Sequence, residues 1–535
     1  MGIAADCFIG PPHPSLSPRP AGGEGRNSRH GLNFPTHSLT LVWSTYALLM
    51  VLVAVPVFST VLPPLFDYPN HLARMHLLAE GGNAFYAVRW AALPNLAQDL
   101  IVPPLARVLP LEFASRLFLV MIFAVIASGT VWLNRVAAGA WRVWPLLCFL
   151  LLYNRVFLWG FVNYLFGIGV ALVGTALWLA LERARSWARI LVSSVVALAC
   201  YFSHIAAVGF YALVILGVEL LPAFGELRTR QSPALGRRIA IAGAQFVFPV
   251  ALILSYWHPT TAGTISYAAF WRKADLPFSV FDNYNRALDI ASFALLLGLL
   301  GWLCWTRSLR LTPRLAWSVC LVFAVYLLLP SQIYGGSGTD HRLPVALFPL
   351  LIGASAPRFP NRRAAVTVAV VAALLLVTRL AVIEHVWRQA DAVYSADLAG
   401  IDALPRGAKL AVAMPAGLTH VVPIPEAHLP TLAVARREAF VPTLFADPGQ
   451  QPIALRPPYT ALAEATPPPR LWAALVDGDI GEGQRILPTL AHYDFVVFVD
   501  KRPVHVPPSQ CLRPIFERPS FQIFAVFHDA GCANS

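Results

Sequence analysis

Apolar residues recur along this chain in runs long enough to cross a bilayer. They lie near 39–62, 113–133, 143–157, 158–181, 190–203, 205–222, 239–257, 287–305, 315–330, 343–357 and 364–383. A hydrocarbon layer about 30 Å thick needs roughly 20 helical residues per crossing. The runs lack the alternation of a membrane barrel, and unpaired backbone groups are too costly in lipid, so helices are expected. The pattern predicts an α-helical polytopic membrane protein of about eleven transmembrane helices, followed by a C-terminal extracytoplasmic α/β domain.

Basic residues between the runs set the orientation. Arg135 and Arg142 fall in one loop; Arg183, Arg185 and Arg189 fall in the next but one. Arg228, Arg230, Arg237 and Arg238, then Arg307, Arg310 and Arg314, then Arg358, Arg362 and Arg363 continue the alternation. With the amino terminus cytoplasmic, all of these loops are cytoplasmic, as the positive-inside rule requires. Merging the third run with the fourth, and the fifth with the sixth across Ser203-His204, would push the loop around Glu182–Arg189 outside, so the runs are kept separate. An odd count places the chain after about Ile383 in the periplasm or extracellular space; the localisation expected is multi-pass in a bacterial inner (plasma) membrane, with the C-terminal domain periplasmic.

Three regions follow. Residues 1–37 are rich in Pro, Gly and Ser, have nothing to bury, and read as a disordered tail. Residues 38–383 form the transmembrane domain, with an amphipathic outer loop at 66–112; its first run is too long for a cleaved signal core and reads as a retained anchor. Residues 384–535 read as a soluble α/β domain, with strand-like runs at Lys409–Met414 and Asp494–Val499. A hairpin is expected from Ile515–Glu517 and Phe521–Phe527 across Arg518-Pro519-Ser520.

Composition agrees: 57% of the 535 residues are hydrophobic and 13% charged, against about 25% charged in soluble proteins. The net charge of +12 sits in short interhelical loops, so it reads as topology and not as a nucleic-acid footprint. Cys148, Cys200, Cys304 and Cys320 fall inside apolar runs, whereas Cys511 and Cys532 flank the expected hairpin and are a disulfide candidate in an oxidising compartment. No cysteine or histidine spacing matches a metal motif.

The segment Leu65-Phe66-Asp67-Tyr68-Pro69-Asn70-His71-Leu72-Ala73-Arg74 follows directly on the first run. If it is helical from Asp67, then Asp67, His71 and Arg74 share one face, while Tyr68, Leu72, Met75 and Ala79 form a second, mostly apolar one. Such a helix can lie in the interface with its apolar side in lipid. Asp67 is then either a helix cap or a carboxylate within reach of an acceptor proton.

This arrangement resembles the GT-C superfamily of membrane glycosyltransferases, which includes protein O-mannosyltransferases and lipid A aminoarabinose transferases. The resemblance covers roughly residues 39–535 in organisation, with Asp67 and its flank as the local motif. It implies a sugar donor linked through phosphate to a polyprenol, a lipid, glycan or protein acceptor, and Asp67 as the catalytic residue. Family members often carry a second acid; here Tyr68 follows Asp67 and the loop at Asn154-Arg155 has no carboxylate, so the two-acid form of the site is not matched there, and a divalent metal is left open as the one cofactor candidate. Asp99 is either a substitute carboxylate or, the favoured reading, a structural residue.

Departure of the donor phosphate leaves negative charge for cations to stabilise. Gly335-Gly336-Ser337-Gly338-Thr339-Asp340-His341-Arg342 lies just before a run on the outer side, so His341 and Arg342 are either phosphate ligands or parts of a turn whose arginine reaches headgroups. Asp340–Arg342 pairing is available to both. It is no nucleotide loop, lacking Gly-Lys-Ser/Thr. His71, Arg74, Arg155, Asp340, His341 and Arg342 are the candidate substrate-binding residues. Arg272-Lys273, Trp90, Trp159, Tyr164 and Tyr284 are weaker candidates, Gly160, Asn163 and Gly167 read as close packing, and His204 as a polar residue at a helix break. Two rival classes remain: a transporter or flippase for lipid-linked glycans, and a non-catalytic envelope assembly protein. A transporter is expected to show internal repeats and mid-membrane ionisable residues, and no repeat is visible.

Overall fold

The computed structural model describes residues 37–256, 265–333, 336–416, 425–509 and 511–527. All but the last residue of the expected tail lies outside them. The described chain is mostly helical. In order come α1 (Leu39–Ser59), α2 (Tyr68–Glu80), β1 (Tyr86–Val88), α3 (Ala97–Ala106), α4 (Leu111–Ala138), α5 (Val162–Ala180), α6 (Ser186–Ser203) and α7 (Ile205–Arg228). They are followed by α8 (Arg286–Trp305), α9 (Pro313–Leu328), α10 (Thr339–Ala354) and the 41-residue α11 (Arg362–Asp402).

Among the described residues seven helices (α1, α4, α5, α6, α7, α8 and α11) are long and apolar enough to cross a membrane. Ser232–Ala244 and Val247–Ser255, bent by 51° between them, make an eighth if taken as one span. That is fewer than the eleven expected. The helices α9 and α10 have 16 residues each, α10 carrying Pro344 and Pro349. The expected third span is a 3₁₀ segment, Trp144–Leu151, followed by the single turn Arg155–Leu158. A 3₁₀ rise of about 2 Å per residue takes those first eight residues only about 16 Å. The break at Ser203-His204 separates two full helices.

α5 lies at the centre of the bundle, with 61% of its apolar window buried, against 22% for α1 and α11, which turn apolar faces outward. Close approach to α5 needs small residues. A Cβ on Gly167 would stand 2.6 Å from the Ala207 Cβ, so α7 packs against bare backbone there.

The basic loops gather at one end of the bundle. Arg314 pairs with Glu182 at 2.7 Å and Arg189 with Glu219 at 3.3 Å, while Arg238 binds both Glu219 and Glu226. Leu309–Leu311 pairs antiparallel with Ser355–Pro357, and Ser355 receives bonds from the Asn134 amide and the Trp144 indole. The loop after α1 is at the other end, where Phe66 N donates to Leu158 O at 2.9 Å and Asp67 N to Trp159 O at 3.2 Å.

That second end is capped by the C-terminal part of the chain. Here β2 (Leu410–Ala413), β4 (Phe495–Val499), β5 (Leu512–Glu517) and β6 (Phe521–Val526) form a sheet in the order β2-β4-β6-β5, with β2 parallel to β4 and the rest antiparallel. The hairpin β5–β6 turns at the expected Arg518-Pro519-Ser520. The separate strand β3 (Ile453–Leu455) pairs with β1, and the Tyr86 hydroxyl donates to Val441 O at 2.7 Å. The loop after α1 and the C-terminal part therefore pack as one unit. No helix ends at the expected boundary, since α11 runs through Ile383 to Asp402. Cys511 is disulfide-bonded, and its expected partner Cys532 lies outside the described residues.

Reporter fusions at Arg230, in the basic-loop end, and at Ala454, on β3, should report opposite compartments. The same compartment for both would contradict the topology.

Candidate active site

Asp67 occupies the N-cap position of α2 yet does not act as a cap. Its backbone is already αR (φ −86°, ψ −4°) and its side chain makes no capping bond. With Pro69 at the second helical position, one of the first-turn backbone donors is already absent. The carboxylate faces inward, 3.5 Å from His428 Nε2. Beneath it the chain turns sharply at Gly160 (φ +93°), where a Cβ would stand 2.7 Å from the Asp67 Cβ. Only glycine satisfies both the left-handed conformation and that approach. Burial pushes the Asp67 carboxyl up to about 7, against the opposing pull of Arg74 and Arg342.

One turn further on, His71 Nε2 lies 3.0 Å from Gly160 O. A carbonyl only accepts, so Nε2 carries the proton. Desolvation lowers this imidazole to about 3, so it is neutral, and its buried Nδ1 is an acceptor without a partner among the described residues. Arg74, fully buried, grips Asp99 through two bonds, Nε–Oδ1 at 2.7 Å and Nη2–Oδ2 at 3.2 Å, while its Nη1 has no partner among the described residues. Asp99 thus holds Arg74 in place and does not serve as a second free carboxylate.

His428 was not foreseen. Asn70 Oδ1 accepts from Phe445 N at 2.7 Å, and its Nδ2 donates to Thr443 O at 3.0 Å and to His428 Nδ1 at 2.9 Å. Because Nδ1 accepts, the neutral imidazole presents Nε2–H to Asp67. Burial lowers His428 to about 4, which keeps it neutral. Phe66 and Phe445 flank its ring at 4.8 and 5.2 Å.

Two cavities meet at Asp67. The smaller, about 220 Å³, is lined by Asp67, His71, Arg74, His204 and Arg342 among others. Arg342 Nη1 lies 3.1 Å from His204 Nε2, its guanidinium stands 4.6 Å over the Phe161 ring, and its carbonyl accepts from the Tyr164 hydroxyl. The larger, about 810 Å³, is lined by Asp67, Arg155, Trp159, Arg272, His341 and His428 among others. Phe161 and Phe445 border both.

The six substrate-binding candidates are therefore split. His71, Arg74 and Arg342 converge with Asp67 on the smaller cavity; Arg155, Asp340 and His341 line the larger one, which Asp67 also borders. The Asp340–Arg342 pairing is not formed: Asp340 binds Lys273 at 3.0 Å, and Arg342 turns to His204. Two residues apart in the first turn of α10, the side chains point to different neighbours, as a rotation of about 100° per residue requires. Arg155 pairs with Asp282, His341 packs edge-on to Trp159 at 5.0 Å, Tyr284 bonds Trp387 away from the site, and Trp90 is exposed. Asn163 is structural, bonding Asn95 O and Gln98 N. Among the described residues no group of three or more His, Cys, Asp or Glu is placed to hold a metal.

No family model matches the chain, and no curated protein does. Solved structures do. The crystal structure of ArnT from Cupriavidus metallidurans bound to undecaprenyl phosphate aligns with 93% of this chain and 100% of its own, at 13% identity and TM-score 0.53. The cryo-EM structure of the arabinofuranosyltransferase AftD from Mycobacteria (mutant R1389S) aligns with 93% of this chain and 42% of its own at 13% identity, with a TM-score of 0.44. The fold is GT-C-like, as the first of these shows.

Gly160→Ala should lower thermal stability by about 1–3 kcal/mol, whereas Gly209→Ala, at a helical site with nothing within 4 Å, should be neutral or stabilising. A folded-state carboxyl raised to about 7 penalises the fold as pH climbs from the unfolded value of 3.8 through 7. Asp67→Asn should accordingly melt above wild type at pH 8, by on the order of 1–4 kcal/mol, and the gap should close toward pH 4.

Proposed function

We propose that the protein is a GT-C-type membrane glycosyltransferase that moves a sugar from a polyprenyl-phosphate donor to an acceptor on the outer face of the bacterial inner membrane. The observation that carries this reading is a buried carboxylate with its pKa raised to about 7, held where a cation-lined cavity meets a larger one. A general base works best with a pKa near the operating pH. The likeness in fold to ArnT, solved with undecaprenyl phosphate bound, supports a carrier of that chemical class.

In this reading the acceptor hydroxyl enters the larger cavity and gives its proton to Asp67. The acceptor oxygen bonds to the anomeric carbon as the bond from that carbon to the phosphate oxygen breaks. The electron pair leaves with the polyprenyl phosphate, whose charge Arg342 and the open Nη1 of Arg74 stabilise. The result is inversion at the anomeric carbon. His428 faces Asp67 with Nε2 at 3.5 Å and steadies its orientation without competing for the proton, because it stays neutral above about pH 4.

Asp67→Asn preserves volume and removes the base. Transfer from polyprenyl-phosphate sugars should fall about 10²–10⁴-fold while membrane insertion stays normal. Arg342→Ala should act mainly on donor affinity. A transporter would show no sugar transfer with either wild type or variant. Wild-type kcat/KM should rise with pH and level off above about 7 as Asp67 ionises; a profile flat from pH 5 to 9 would count against Asp67 as the base.

A further inference from the structure

We propose, resting on the transferase reading above, that Gln451 reads the sugar of the donor and that this sugar carries hydroxyls and no amino group. The smaller cavity beside Asp67 holds about 220 Å³, less than the roughly 300–1,000 Å³ of a pocket for a drug-sized molecule. That room suits a single sugar unit.

Gln451 joins the cavity wall from the C-terminal part of the chain. It closes the turn that begins at Asp447, where Gln451 N donates to Asp447 O at 2.8 Å, and it stands two residues before β3. The pairing of β3 with β1 fixes its place. Gln451 is 8% exposed, and its Oε1 accepts from Asp447 N at 3.2 Å. A backbone N–H only donates, so the amide cannot be flipped, and Nε2 is left as a donor toward the cavity.

Arg74 Nη1 adds a second donor without a partner among the described residues, and Arg342 lies in the same wall. His71 Nδ1 is the complementary acceptor. Two other polar neighbours are already committed: Asn163 Oδ1 accepts from Gln98 N at 2.8 Å, and His204 Nδ1 from Ala206 N at 3.0 Å. Asp67 is the one carboxylate lining the cavity among the described residues. Asp447 does not line it; its Oδ1 accepts from Gly449 N and its Oδ2 from Gln450 Nε2, within its own turn.

A sugar hydroxyl donates and accepts at once, so it meets Gln451 and His71 alike. An ammonium only donates. It would set donor against donor at Gln451 and share the cavity with two guanidinium charges. Sites built around buried polar groups reject a ligand that leaves them unpaired.

The test is a binding titration of the full-length protein by native mass spectrometry, using undecaprenyl-phosphate-linked glucose, galactose, mannose and arabinose. Each is matched with its amino counterpart, 2-amino-2-deoxy for the hexoses and 4-amino-4-deoxy for arabinose. The hydroxylated donor that binds best should bind tighter than its amino counterpart by about tenfold or more. In Gln451→Glu, which keeps an oxygen for Asp447 N and turns the donor into a carboxylate, that ratio should fall to parity or reverse. The ratio is taken within one protein, so a general loss of folding or of phosphate binding does not move it. An amino-sugar donor bound as tightly as its hydroxylated counterpart by wild type would overturn the proposal, as would a ratio unchanged in Gln451→Glu. Either result would leave the transferase reading standing, because donors still bind. If no donor of either kind bound, the two would fall together.

Discussion

Removal of one carboxylate from water governs the candidate site. Asp67 is wedged between the left-handed turn at Gly160 below and the ring of His428 to the side. Desolvation raises it to about 7 even though Arg74 and Arg342 act in the other direction. The balance survives because both cations are engaged elsewhere. Arg74 has two of its nitrogens on Asp99, and Arg342 leans on His204 over the Phe161 ring. A direct bidentate pair with Asp67 would strongly favour its charged form and leave a poor base. Asp99 therefore matters to the chemistry by occupying Arg74.

The C-terminal part sets the same environment from above. Strand β3 pairs with β1 directly after α2, and Asn70 on α2 binds the backbone at Thr443 and Phe445 as well as the His428 ring. These contacts bring His428 and Phe445 over Asp67. The membrane-side helix and the C-terminal part thus build one site, with its walls drawn from segments more than 350 residues apart in sequence.

Much of the fold was legible because membrane helices announce themselves by length and apolarity. The clustering of Arg135–Arg142, Arg183–Arg189, Arg228–Arg238, Arg307–Arg314 and Arg358–Arg363 anticipated the loops that the ion pairs of Glu182, Glu219 and the Leu309–Leu311 strand join. The third run was overread: its apolarity is real, but apolarity does not distinguish an α-helix from the shorter 3₁₀ segment at Trp144–Leu151. At the site, helical spacing correctly put Asp67, His71 and Arg74 on one cavity. Long-range partners were invisible. Asp340 looked available to Arg342 by proximity in sequence, and only the packing of the segment at Phe270–Ala274 brings Lys273 to it. His428 lies in a Pro-rich stretch without periodicity, and its one local signal was a histidine beside apolar residues. Gly160 read as a packing glycine; its role beneath Asp67 requires the tertiary contact.

The most direct test of the central claim is infrared difference spectroscopy of the Asp67 carboxyl, with wild type and Asp67→Asn compared in lipid across pH 4 to 9. A protonated, desolvated carboxyl has a C=O stretch that disappears on ionisation. The account predicts a band present in wild type, absent from Asp67→Asn, and titrating with a midpoint near 7. A carboxyl already ionised at pH 5 would mean that Asp67 is held as a paired anion, and would contradict it.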